Sequence, residues 1–131
     1  MKNKLLLCSV LFFLFAEQKS FAQTPLMNRL CHTWTLNAMD DGTGKKTVDK
    51  AQGEFWLVLK SDMTCKQGLQ PEGLIASSWK LDEPNMSLTI TDAATQKSYV
   101  MKILKINTDE LQLQQTPTDG GLLIYYTNHD N

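Results

Sequence analysis

From residue 32 onward the chain is built of short stretches in which apolar and polar residues change places at every second position. Leu88 and Ile90 alternate with Thr89 and Thr91, Leu111 and Leu113 with Gln112 and Gln114, and Trp79 and Leu81 with Ser78 and Lys80. Side chains of a strand point alternately to the two faces of a sheet, so this pattern predicts strands with one face on a core and the other toward water. Eight runs of this kind occur, over residues 32–39, 54–60, 63–69, 74–81, 86–91, 97–107, 110–116 and 121–129. Most of the connections between them are short and rich in turn residues, as in Ser61-Asp62, 82–85 with Pro84, Thr108-Asp109 and 117–120, which suits antiparallel hairpins.

Two runs break the alternation. Residues 55–59 (Phe-Trp-Leu-Val-Leu) and 122–126 (Leu-Leu-Ile-Tyr-Tyr) are apolar on both faces, which predicts an outer side covered by the N-terminal helical turn or by a partner. Ahead of the first strand, Thr24-Pro25-Leu26-Met27-Asn28-Arg29-Leu30 offers a capping residue, a proline at the first helical position and apolar residues at 26 and 30 on one face. One or two helical turns fit there.

Strands joined in chain order by tight hairpins predict an all-β fold, an eight-stranded antiparallel up-and-down barrel preceded by a short helical turn. Closing the sheet removes the exposed edges that an open sheet must protect. A two-sheet sandwich is the rival architecture, whereas the lack of alternating strand and helix periods argues against an α/β fold.

The first twenty-two residues follow other rules. Lys2 and Lys4 precede the apolar stretch 5–16, and Ser20 and Ala22 stand ahead of Gln23. A basic start, an apolar stretch too short to span a bilayer and small residues at the end make a secretory signal, with cleavage expected after Ala22 and a periplasmic or secreted destination. Lipidation at Cys8 is not expected, because that residue lies inside the apolar stretch and Leu5-Leu6-Leu7 lacks the small residues that precede a lipidated cysteine. Residues 23–131 then form one domain of 109 residues, with no membrane span after cleavage.

Loss of the leader removes three lysines and one glutamate, turning the net charge of −1 into −3. An acidic balance spread along the chain does not recruit nucleic acid. Only Cys31 and Cys65 remain, and in an oxidising compartment they are candidates for one disulfide, whose geometry the sequence does not supply.

The order of segments resembles the small bacterial lipocalin-like domain family from Leu30 onward. The family opens with a leucine, a glycine two residues before a tryptophan, and an alternating strand, matched here by Leu30 and Trp34. An apolar strand, an Asp-Gly-Thr-like hairpin, a Trp-Lys-Leu segment and a short apolar strand follow, in the places of Phe55 to Leu59, Asp62-Met63-Thr64, Trp79-Lys80-Leu81 and Leu88-Thr89-Ile90. A strand opening near Tyr99 and the Leu111-x-Leu113 strand complete the series. His32 and Met63 stand where the family usually has glycine. The resemblance implies a barrel or cup with an apolar interior and, for lipocalins in general, carriage of a small hydrophobic molecule.

Within such a barrel the inward residues Trp34, Leu57, Trp79, Ile90, Tyr99 and Leu113 are the candidates for lining a ligand cavity. Trp34 has a simpler reading as a plug for one end, its indole N–H needing one partner. Among the other aromatics, Phe55, Trp56, Tyr125 and Tyr126 belong either to the core or to a cavity wall. In a closed barrel the first strand pairs with the last, which brings His32 toward His129. These two histidines, completed by Cys31 or Asp130, are the candidate metal ligands, but Cys31 and His32 point to opposite faces and no metal site is expected. Nor does the chain carry a nucleophile elbow, a phosphate loop, a His-Glu-x-x-His or a Cys-x-x-Cys, so neither a cofactor nor enzymatic activity is expected.

The long polar connection 40–53 reads either as a lid over the open end or as a plain surface loop. Two functions follow from the whole: an exported binder of a small hydrophobic ligand, or a non-catalytic protein-interaction module (inhibitor, immunity-like or envelope factor) with a filled barrel. The face taken by Trp56, Val58, Leu123 and Tyr125 separates them.

Overall fold

The structure, a computed structural model, describes residues 24–70, 73–115 and 121–131. The leader expected over residues 1–22 and the turn expected over 117–120 lie outside the described residues. A short helix, α1 (Pro25–Leu30), is followed by β1 (Thr33–Asp40), β2 (Lys45–Thr47), β3 (Glu54–Leu59), β4 (Thr64–Gln70), β5 (Ile75–Asp82), β6 (Ser87–Asp92), β7 (Ser98–Ile106), β8 (Glu110–Gln115) and β9 (Leu123–Asn128). All eight expected strands are present within two residues of their expected ends. Each pairs antiparallel with the next, and β1 also pairs with β9 from Trp34↔Asn128 to Asp40↔Leu123, which closes the barrel. Among the described residues no helix is long and apolar enough to cross a membrane.

The long connection 40–53, read as either a lid or a plain surface loop, carries a ninth strand. Residues 45–47 fold back on β1, pairing Ala38↔Thr47, Met39↔Lys46 and Asp40↔Lys45. Asp40 and Asp41 make the turn, Asp40 Oδ1 accepting from the Gly42 and Gly44 N–H groups and Asp41 Oδ1 from Thr43 N–H, the local bonding that favours Asp at such positions. This hairpin splits the wall. β1 pairs with β3 only at 33–35 and with β2 at 38–40, while Glu54 and Phe55 of β3 are paired with β4.

At the other end the barrel is plugged. Thr24 Oγ1 accepts from Met27 N–H at 3.3 Å and Pro25 opens α1, as the sequence pattern requires. Six residues are too few to hold a helix in water, so α1 depends on burying Met27 and Leu30 in the barrel mouth. Trp34 lies fully buried against it, its Nε1–H donating to Leu30 O at 2.9 Å, and the Trp79 Nε1–H donates to Lys60 O at 2.9 Å. Both indole donors are thus satisfied by backbone carbonyls at the closed end, which lets two large side chains be buried without an orphaned polar group. Leu57, Leu59, Leu88, Leu111 and Leu113 fill the space around them.

Met63 occupies a backbone position that favours glycine. It sits in the β3–β4 turn with φ +67, in the left-handed region, where its backbone N–H donates to Lys60 O and its carbonyl accepts from Trp79 N–H. A side chain costs about 1–2 kcal/mol in that conformation. The methionine side chain lies against the core, recovering part of that cost through burial.

Candidate functional site

At the open end the strands enclose a cavity of about 520 Å³. Its depth follows from the exposure of its walls. Ile90, Met101, Ile124 and Tyr126 are nearly or fully buried and lie deep, whereas Ile75, Tyr99 and Met39 are 57%, 47% and 38% exposed and stand at the mouth. Leu36, Phe55 and Leu122 complete the apolar wall, and Gln67, Gly68 and Gln115 interrupt it.

The floor is set by strand periodicity. Trp34, Leu57, Leu88, Ile103 and Leu113 each lie two residues nearer the closed end than a lining residue of the same strand, namely Leu36, Phe55, Ile90, Met101 and Gln115. Side chains two apart share a face, so one layer lines the cavity and the next packs beneath it. Of the six side chains expected to line a cavity, the structure therefore brings Ile90 and Tyr99 to the wall. Trp34, Leu57, Trp79 and Leu113 are instead part of the solid floor, because α1 closes that end and the large rings fill the remaining volume.

Two irregularities widen the open half. A register shift between Leu36 and Ala38 against β9 puts both Leu36 and Met39 on the cavity side of β1, as a bulge does by adding one residue to one strand. On β4 both Gln67 and Gly68 reach the cavity. A Cβ on Gly68 would collide with Gly73 O across the start of the β4–β5 connection, so glycine is required there for backbone to approach backbone.

The polar groups of this interior are neutral. Tyr126 is 5% exposed, burial pushes its phenol pKa up, and its hydroxyl makes no hydrogen bond among the described residues. Ser77 Oγ is buried beside the Cys65 thiol of the neighbouring strand. Burial pushes the Cys65 thiol up to about 11, which leaves it protonated and a poor nucleophile at neutral pH. Among the described residues no charged side chain lines the cavity.

Cys31 and Cys65 are not joined: both are free thiols. Cys65 is directed into the barrel from β4, and Cys31 caps the C-terminus of α1, where burial and the nearby Asp62 carboxylate push its pKa up. The histidines are near the same strand ends, as the closure of β1 on β9 requires, but take different partners. His32 shares the face of Trp34, meets its ring edge-on at 6.0 Å, and places Nδ1 3.3 Å from Asp130 Oδ2. His129 lies on the outer face, its ring 4.5 Å from that of Trp56 and its Nδ1 3.4 Å from Thr35 Oγ1. Opposite faces of one sheet keep them from converging, and no group of three metal-ligating side chains occurs among the described residues.

The two strands that are apolar on both faces turn Trp56, Val58, Leu123 and Tyr125 outward, since Leu57, Leu59, Ile124 and Tyr126 face in. Two of the four, Trp56 and Tyr125, are met by other parts of the chain, and these contacts come from His129 and β2, not from the helical turn expected to supply them. His129 lies on Trp56, whose Nε1–H donates to Glu54 Oε2 at 3.0 Å, and Lys45 of β2 holds its ammonium 4.2 Å above the Tyr125 ring, a cation–π contact. The β2 hairpin thus supplies the contact over Tyr125.

No family profile matches the chain, and no curated protein matches it. Among solved structures, a DUF4847 family protein from Bacteroides vulgatus ATCC 8482 is similar, with a TM-score of 0.55 and 15% sequence identity over 79% of this chain and 96% of that one. At that identity the likeness concerns the fold alone: the chain shares a barrel architecture with that protein.

Proposed function

We propose that this is an exported, divergent lipocalin-like protein that binds a small, largely apolar molecule in the open half of its barrel, without chemical turnover. The observation that carries the reading is the cavity of about 520 Å³ with predominantly aliphatic and aromatic walls, a volume within the range of small-molecule sites. A filled barrel of the same strands would have been more stable, since unfilled apolar volume forfeits packing contacts. The interaction-module alternative drew on the outward Trp56, Val58, Leu123 and Tyr125, of which the two largest, Trp56 and Tyr125, are met by His129 and Lys45 of the same chain.

Native mass spectrometry of the mature protein purified from its own host tests the reading. Additional mass of a few hundred daltons, lost on denaturation, is the expected result. A bare mass under conditions that preserve the fold would count against it.

A further inference from the structure

Three uncharged hydrogen-bonding side chains, those of Tyr126, Gln67 and Gln115, stand in the wall of an otherwise apolar cavity. Tyr126 is nearly fully buried at the deep end, and neither its hydroxyl nor the side-chain amides of Gln67 and Gln115 form a hydrogen bond among the described residues. Gln115 and Tyr126 come from the neighbouring strands β8 and β9, and Gln67 from β4. A phenol facing an apolar cavity is favoured over phenylalanine only when its hydroxyl has something to bond. The half-buried amides of Gln67 and Gln115 add further polar groups to the same wall.

We propose that the molecule held here is an uncharged apolar compound bearing a hydrogen-bond acceptor such as a carbonyl oxygen, seated so that the Tyr126 hydroxyl and the Gln115 amide donate to it. The proposal rests on the reading of the cavity as a binding site and narrows it. Charge decides against the other class of amphipathic ligand. A fatty carboxylate or an ammonium buried in this cavity would face no counter-charge among the described lining residues, and an unpaired buried ion is far more costly than a neutral polar group. Because burial pushes the Tyr126 pKa up, the phenol remains a neutral donor through the physiological range. A pure hydrocarbon would fill the volume and leave all three polar groups unsatisfied.

The test is a fluorescence titration of the mature protein with three probes: Nile red, uncharged with a ring carbonyl; diphenylhexatriene, with no polar atom; and cis-parinarate, a carboxylate. Nile red is expected to bind at least tenfold more tightly than either of the others. Tyr126→Phe should remove most of that advantage while leaving diphenylhexatriene affinity unchanged, and Gln115→Leu should act in the same direction, so that a folding defect in one variant does not decide the matter. Equal binding of all three probes, tighter binding of parinarate, or a preference indifferent to both substitutions would overturn the ligand class while leaving the cavity as a binding site. Saturable binding of none of the three would overturn that broader reading as well.

Discussion

Trp34 and Leu36 stand two residues apart on the inner face of β1, yet they belong to opposite designs. Trp34 is fully buried, with its one donor satisfied by the helix beneath it, while Leu36 borders a cavity. The same contrast separates Leu57 from Phe55, Leu88 from Ile90 and Leu113 from Gln115 on their own strands. The closed half of the barrel is filled by fully buried side chains, and its two indole donors are satisfied by backbone carbonyls. The open half leaves volume empty and lines it with Tyr126 and two glutamines as well as apolar side chains. Buried side chains are therefore concentrated at one end and open volume at the other.

Substitution at the closed end breaks this division most sharply. Trp34→Ala removes the floor and the contact to α1 and is expected to cost about 3–5 kcal/mol, whereas Ile75→Ala at the mouth should stay within about 1 kcal/mol of wild type; urea denaturation of both variants measures the difference. Gly68→Ala is expected to cost about 1–3 kcal/mol because its new methyl group meets the Gly73 backbone, and it should distort the cavity wall as well, which thermal denaturation and probe binding read together.

The smallest effects belong to the turns. Met86 lies in the β5–β6 turn with φ +47 and a largely exposed side chain. Met86→Gly should relieve left-handed strain and raise stability by up to about 1 kcal/mol, the greater freedom of glycine in the unfolded chain offsetting part of the gain. Asp62 and Asp92 accept backbone N–H groups in their turns, and these bonds, together with the Thr64 hydroxyl on Asp62, hold both carboxyls below the ordinary carboxylate range. A depressed folded-state pKa means that the contribution is complete above the unfolded value and is lost as pH falls through the folded one. Stability should therefore be flat from neutral pH to about 5 and decline below about 4, with a weaker decline in Asp92→Asn.

The barrel could be read from the chain because each strand advertises its buried face through alternation, and eight such faces with hairpin turns leave few ways to close. β2 could not, since Lys45-Lys46-Thr47 is exposed throughout and buries nothing; its position is dictated by β1 and by the Tyr125 ring that Lys45 covers. The site was legible in kind and not in depth. Trp34, Leu57, Trp79, Ile90 and Leu113 carry the same inward signal, and only the register between strands and the plug by α1 decide which of them meet a void. Gln115 follows Leu111 and Leu113 on the inward face of β8, so its place in the interior could have been inferred from parity, while Gln67 and Gly68 reach the cavity together in a way that parity does not anticipate.

The account turns on whether the hollow half is the half that binds. A double variant, Leu36→Trp with Ile124→Trp, narrows the cavity while leaving the floor formed by Trp34, Leu57 and Trp79 intact. The most direct measurement is its affinity for Nile red beside its thermal midpoint, relative to wild type. The account predicts an affinity loss of tenfold or more with an unchanged or raised midpoint; unchanged affinity in a folded variant would place binding elsewhere and contradict it.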